Sequence, residues 1–172
     1  MGHPRKPDQA RTTLNGLDFM RYVTYGDNGQ TVSLNYDYEA IQWMHRNIPG
    51  SPVVAEAHSG NPYRSIGNRI SMYTGLPSIV GWDWHQRQQR ATTPGWLVAS
   101  RVNDVSLLYN TEDIQLAQEL LEKYNVGYVY VGQLETVYYS PAGLYKFDQM
   151  AAEGLLEEVY RNRGTSIYQV IR

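Results

Sequence analysis

Between Thr111 and Gly132 an amphipathic helix pattern runs almost directly into a strand pattern, and this unit limits the fold more than any other stretch. Ile114, Ala117, Leu120, Leu121 and Tyr124 recur at the spacing of one helix face. Thr111 is placed as the cap. Glu112 and Asp113 lie where the helix dipole favours anions and Lys123 where it favours cations, so the spacing predicts a helix over 112–124. After Asn125, Gly127-Tyr128-Val129-Tyr130-Val131-Gly132 is rich in the residues that fit a pleated sheet. Alternation of such helices with short apolar strands through the middle of the chain favours a largely parallel sheet covered on both faces.

The alternation recurs upstream. A helix over 36–47 has Asn35 as candidate cap, Ala40, Ile41, Met44 and Ile48 as its inward stripe, and Pro49-Gly50 as its stop. A buried strand follows at 52–57. Residues 68–74 form a short helix stopped by Gly75, and 78–81 a second strand. A helix starts near Trp84 and breaks around Thr93-Pro94-Gly95, and a helical run covers 96–109. Downstream, Ser140-Pro141 opens a helix that runs to about Met150. Strands at 155–160 and 165–171 are joined by the hairpin signal Arg161-Asn162-Arg163-Gly164. Leu17 to Tyr25 suits a short helix or strand, residues 26–29 a turn, and 30–34 a short strand. Residues 1–16 read as an N-terminal arm and 17–172 as one α/β domain. The expected architecture is a three-layer α/β sandwich, its central sheet mostly parallel, with the C-terminal antiparallel hairpin at one edge.

Composition narrows the function. With a net charge of −2 the chain lacks the basic footprint of an electrostatic nucleic-acid binder. The absence of cysteine removes disulfides, thiolate catalysis and thiolate-bound zinc. No run is long enough to span a bilayer and no signal peptide opens the chain. The abrupt polar start reads as a beginning inside a longer protein. Fifteen Tyr against two Phe suit either wet clefts and interfaces or a tyrosine-rich core.

Ligands of open α/β sheets bind beyond the carboxyl ends of the strands. Three polar loops follow the predicted strands: His58, Ser59, Asn61, Tyr63 and Arg64 after the first, Trp82 to Arg87 after the second, and Gln133, Glu135 and Thr136 after the third. If the strands are neighbours, these loops converge on one rim, and that rim is the predicted site. Its binding residues are His58, Ser59, Asn61, Tyr63, Arg69, Trp82, Asp83, Trp84, His85, Gln88 and Arg90, with no catalytic residue, no metal ligand and no cofactor assigned. Asp83 and His85 suit an acid–base pair; a zinc site would need further ligands that the spacing of the four His does not supply. Trp82 and Trp84 suit stacking on a sugar, but such residues more often plug a sheet edge or pack on a neighbouring domain. Arg69, Arg87 and Arg90 suit holding a phosphate or carboxylate, or pairing with Asp83, Glu56 or Asp104. Dinucleotide, phosphate-loop and nucleophile-elbow fingerprints are absent.

The ordered segments AIQWMHRNIPGSPVVAEA, NRISMYTGLPSIVGWDWHQRQQR, DIQLAQELLEKYNVGYVYVG and GLYKFDQMAAEGLLEEVYRNRGTSIYQVI carry a family resemblance over residues 12–172. They resemble the C-terminal soluble region of the polytopic membrane proteins called the YYY family, or DUF2298, of Chloroflexi and archaea. The layout also resembles the extracytoplasmic tails of multi-spanning, lipid-linked sugar transferases of the GT-C type. Trp82, His85, Gln88 and Arg90 match the family block, and Gln89 stands where an aromatic is expected. The resemblance implies an extracytoplasmic domain, not catalytic alone, that assists substrate or acceptor recognition. Its implied partners are the membrane-embedded part of the same polypeptide and a sugar or lipid-linked sugar, with no nucleic acid. A free-standing ligand-binding or hydrolytic module and a purely structural packing domain are the alternatives.

Overall fold

The computed structural model of the chain describes residues 13–59 and 66–172. Of the N-terminal arm, only 13–16 fall within them, and these four are exposed. A 3-10 turn, Asp18–Arg21, leads into β1 (Thr24–Asp27) and β2 (Gln30–Ser33), an antiparallel pair that forms its own two-stranded sheet. Asn28 and Gly29 turn the hairpin at φ 47° and 74°, the left-handed pair that matches strand twist. The order then runs α1 (Asn35–Asn47), β3 (Val53–Ala55), α2 (Arg69–Thr74), α3 (Asp83–Gln89), α4 (Gly95–Asn110) and α5 (Ile114–Lys123). It continues with β4 (Val126–Val131), α6 (Gln133–Tyr138), α7 (Pro141–Ala152), β5 (Leu156–Arg161) and β6 (Ser166–Val170). Among the described residues no helix is long and apolar enough to cross a membrane.

The main sheet has the order β3-β4-β6-β5 and is mixed. Only β3 and β4 pair parallel; β4–β6 and β6–β5 are antiparallel. The expectation of a mostly parallel sheet is therefore corrected, for two reasons. The predicted strand at 78–81 contributes a single parallel bridge, Ser78 to Val54, because Pro77 has no N–H to donate and Gly81 turns the chain at φ 71°. The C-terminal hairpin places β6 directly against β4, so it fills the sheet interior and leaves only β5 at the edge.

Register puts a hydrophobic core on each face. Val126 opposes Val53 while Tyr128 opposes Val54, so Gly127 is the extra residue of a bulge. From there the side chains alternate. Val129, with Ala55 and Tyr168, joins a core built by Val105, Leu108 and Tyr109 of α4, Ala117, Leu120 and Leu121 of α5, and Phe147 and Met150 of α7. Tyr128 and Tyr130, with Val54 and Ile167, join the opposite core of Ala40, Ile41 and Met44 from α1 and Ile70 from α2. Burying each of the Val, Leu, Ile, Met and Phe side chains among these contributes about 1.5–3 kcal/mol.

Helix ends follow local chemistry, with two adjustments. α5 is capped by Asp113, whose Oδ1 accepts from the backbone N–H groups of Gln115 and Leu116 at 2.9 and 3.2 Å; Thr111 instead accepts from Asp113 N. Asp competes well for this place because it is charged as well as short. Asn35 is already inside α1, and its amide reaches Glu39 Oε1 at 3.0 Å. Ser140 caps α7 as expected, accepting from Gly143 N at 3.1 Å, with Pro141 next. Gly75 ends α2 in the left-handed region at φ 77°.

Candidate functional site

The carboxyl ends of β3 and β4 are joined by a buried charge network. Arg69, at the first turn of α2, is fully enclosed. Its Nη2 donates to Glu135 Oε2 at 2.8 Å and its Nη1 to Glu135 Oε1 at 3.3 Å. Arg69 Nε lies 2.9 Å from Asp37 Oδ1, with the N–H turned off the line to oxygen, so that contact is ionic and not a hydrogen bond. Glu135 also accepts from Ala57 N at 2.9 Å and Gly132 N at 2.8 Å, stitching both strand ends to α6. Tyr130 donates to Asp37 Oδ1 at 2.5 Å and its ring lies under the Arg69 guanidinium, 5.1 Å away. Glycine is required at 132, because a Cβ there would meet Arg69 Nη2 at 2.7 Å and the Tyr130 ring at 2.8 Å.

Charge states follow from this enclosure. Burial pushes the Asp37 carboxyl up, against the pull of Arg69 and the Tyr130 hydroxyl. Burial works to lower Arg69, yet Asp37 and Glu135 hold it well above its ordinary value, so it stays a cation. Glu56 accepts from Ile70 N at 2.8 Å and Ser71 N at 3.2 Å, holding the start of α2. Burial pushes its carboxyl up to about 7, with the Ser71 hydrogen bonds opposing.

On the outside of this network the first and second predicted loops meet. His58 Nε2 lies 3.6 Å from Asp83 Oδ1, and Arg87 Nη2 lies 3.8 Å from Asp83 Oδ2. Burial lowers the His58 imidazole below its ordinary range, and the Asp83 carboxylate opposes that shift. The His58 backbone N–H donates to the Tyr139 hydroxyl at 3.0 Å. Trp82 and His85 meet edge to face with ring centroids 5.1 Å apart. Trp82, just ahead of α3, Trp84 on α3 and Trp96 on α4 are 37%, 39% and 67% exposed, and Leu97 is 37% exposed.

The eleven residues expected at the rim are divided by the structure. His58, Trp82, Asp83 and His85 come together, with Ser59 buried next to His58 in the chain. Trp84, Gln88 and Arg90 are exposed along α3 and its end. Arg90 also lines a cavity of about 140 Å³ with Gln86 and Arg101. Arg69 is enclosed by carboxylates of the protein itself, which are Asp37 and Glu135 and not Asp83, Glu56 or Asp104. Asp104 pairs with Lys123 at 2.6 Å and with the Tyr124 hydroxyl. Asn61 and Tyr63 lie outside the described residues. Among the described residues no three His, Asp or Glu side chains converge as metal ligands would.

Sequence reasoning missed a second concavity. A cleft of about 540 Å³ opens where β4 meets α6, between α7 and the β5–β6 turn. Gln133 and Thr136 were visible as a polar loop after a strand; Tyr145, Asp148 and Arg163 come from a helix face and a hairpin tip that carry no motif.

No protein-family model and no curated protein matches the chain. Among solved structures it is similar to the C-terminal globular domain of oligosaccharyltransferase from Archaeoglobus fulgidus. The TM-score is 0.48 at 16% identity, over 77% of this chain and 95% of that one.

Proposed function

We propose that the chain is the extracytoplasmic domain of a multi-spanning, glycosyltransferase-like membrane protein of the YYY type, and that it assists recognition of a substrate or acceptor without being catalytic alone. The observation that carries this reading is the exposure of Trp82 and Trp84, which flank Asp83 of the His58–Asp83 pair, together with that of Trp96 at the start of α4. Isolated apolar residues on a surface need no partner, but three exposed tryptophans at the start of α3, on α3 and on α4 are the composition of an interface or of a sugar-facing wall. The family resemblance of the Gly75 to Arg90 block supplies the membrane setting. The helices packed on both faces of the mixed sheet are read here as a three-layer arrangement that holds this surface rigid.

The test uses the full-length gene product. Membranes are washed with salt and carbonate, and transfer of a lipid-linked sugar is then followed. The domain should remain with the membrane fraction. Replacing Trp82, Trp84 and Trp96 together by alanine should raise the acceptor KM and leave the amount of membrane-bound protein unchanged. Loss of that protein with no change in KM would favour a packing role alone. Recovery of the whole product in the wash would end the membrane reading.

A further inference from the structure

The cleft at the end of β4 holds the groups needed to bind a pyranose, two of them fixed by contacts and two exposed on its walls. Asp148 receives both the Arg161 guanidinium and the Tyr168 hydroxyl on Oδ1, each at 2.8 Å, and Oδ2 has no partner among the described residues. Gln133, on the lining of the cleft, accepts from Ser33 N through Oε1 at 2.8 Å, and its NH2 group has no partner among the described residues. The Arg163 guanidinium, at the exposed tip of the β5–β6 turn, makes no hydrogen bond or ion pair with a described residue. Tyr145, on the wall contributed by α7, is 61% exposed. A volume of about 540 Å³ is far more than a bare anion fills and accommodates a sugar unit with bound water.

These four groups have complementary chemistry. A carboxylate oxygen and a planar amide donor match the vicinal hydroxyls of a sugar ring. An exposed aromatic face covers the apolar C–H side of such a ring. A guanidinium whose charge is not taken up by the protein favours a carboxylate or phosphate, and binds it bidentately. Arg161, the other cation on the cleft, is already engaged by Asp148 and Glu158, so Arg163 is the one left for the ligand.

We infer that this cleft is a binding site for a negatively charged monosaccharide unit, with Tyr145 under the ring, Asp148 and Gln133 on its hydroxyls, and Arg163 on its acidic group. The site is separate from Trp82, Trp84 and Trp96 and does not rest on membrane attachment.

The test is titration of the 172-residue chain with three probes: glucuronate, glucose 1-phosphate and methyl glucoside, followed by the backbone amide resonances of Gln133, Thr136, Asn162 and Gly164. Both charged sugars should move these resonances with dissociation constants in the millimolar range. The tighter of the two then tells whether the acidic group is a carboxylate or a phosphate. Arg163→Gln should weaken the charged probes about tenfold, to the level of methyl glucoside. Tyr145→Ala should weaken all three, and Glu119→Gln, on the exposed side of α5, none. Both substituted side chains are exposed, and an unchanged melting temperature confirms that the variants fold. Absence of movement at these amides with every probe overturns the site, as does binding unaffected by both cleft variants. Equal affinity for the neutral and charged sugars overturns the role of Arg163.

Discussion

Arg69 Nη2 and Glu135 Oε2 are 2.8 Å apart with both side chains out of contact with solvent, so the first turn of α2 is tied to the first turn of α6 by an ion pair that water does not screen. Removing one member leaves the other buried and uncompensated. Glu135→Ala should therefore destabilise the fold by about 3–5 kcal/mol, measured by urea denaturation. The loss includes the acceptors of Ala57 N and Gly132 N.

Glu56 gives a signed dependence on pH. Its carboxyl is raised by burial from an ordinary value of 4.5 to about 7 in the folded chain. A raised acid binds its proton more tightly when folded, so its stabilising contribution is complete below pH 4.5 and is lost as pH rises through 7. The fall across that window is on the order of 3 kcal/mol. Glu56→Gln keeps an acceptor for Ile70 N and Ser71 N and should flatten the stability curve between pH 4.5 and 7.

Lys146 titrates in the adjacent window. Its side chain is buried on α7, its ammonium donates to Gly143 O at 2.8 Å and lies 3.8 Å from the Phe147 ring centre, and burial lowers it to about 7. A depressed lysine costs stability below pH 7, and that cost is relieved as pH rises toward the unfolded value of 10.5. Lys146→Met should raise stability at pH 6 by about 2–4 kcal/mol and remove the rise between pH 7 and 10.5. Together with Glu56, this places a stability minimum near neutrality, seen as a dip in melting temperature against pH.

The cap of α7 offers a smaller, local test. Ser140 Oγ satisfies Gly143 N, and the Ser140 backbone N–H donates to Asn110 Oδ1 at 2.9 Å. Ser140→Ala should cost about 1 kcal/mol in thermal or chemical denaturation, and Ser140→Asp should recover most of it.

What the sequence disclosed and what it concealed have physical causes. The helix–strand unit at 114–131 was legible because its period and β-branched content are local properties. The end of α2 at Gly75 was legible because a left-handed residue favours glycine. The meeting of the 58 and 83 loops was also expected, since both leave the same end of the sheet. Strand order was not legible: nothing local tells β6 to enter beside β4, and only that placement makes the sheet mixed. The apolar run 78–81 looked like a strand by content, yet Pro77 and Gly81 limit it to one bridge. Arg69 looked like a surface ligand group because its partners Asp37 and Glu135 are 32 and 66 residues away. Tyr145, Asp148 and Arg163 were missed because a cleft assembled from two separate elements has no linear signature.

The two ends of the main sheet are finished differently, and this governs association. Beyond β3, Pro77 and Ser78 occupy the pairing position, with Val54 N donating to Pro77 O at 2.8 Å, so a strand from another molecule would have to displace them. At the other end, β5 exposes Glu157 and Glu158 next to Arg161, and a second copy aligned there would bring charged side chains against each other. Neither border invites polymerisation, and a concentrated solution of the domain should resist the strand-to-strand growth that leads to fibres.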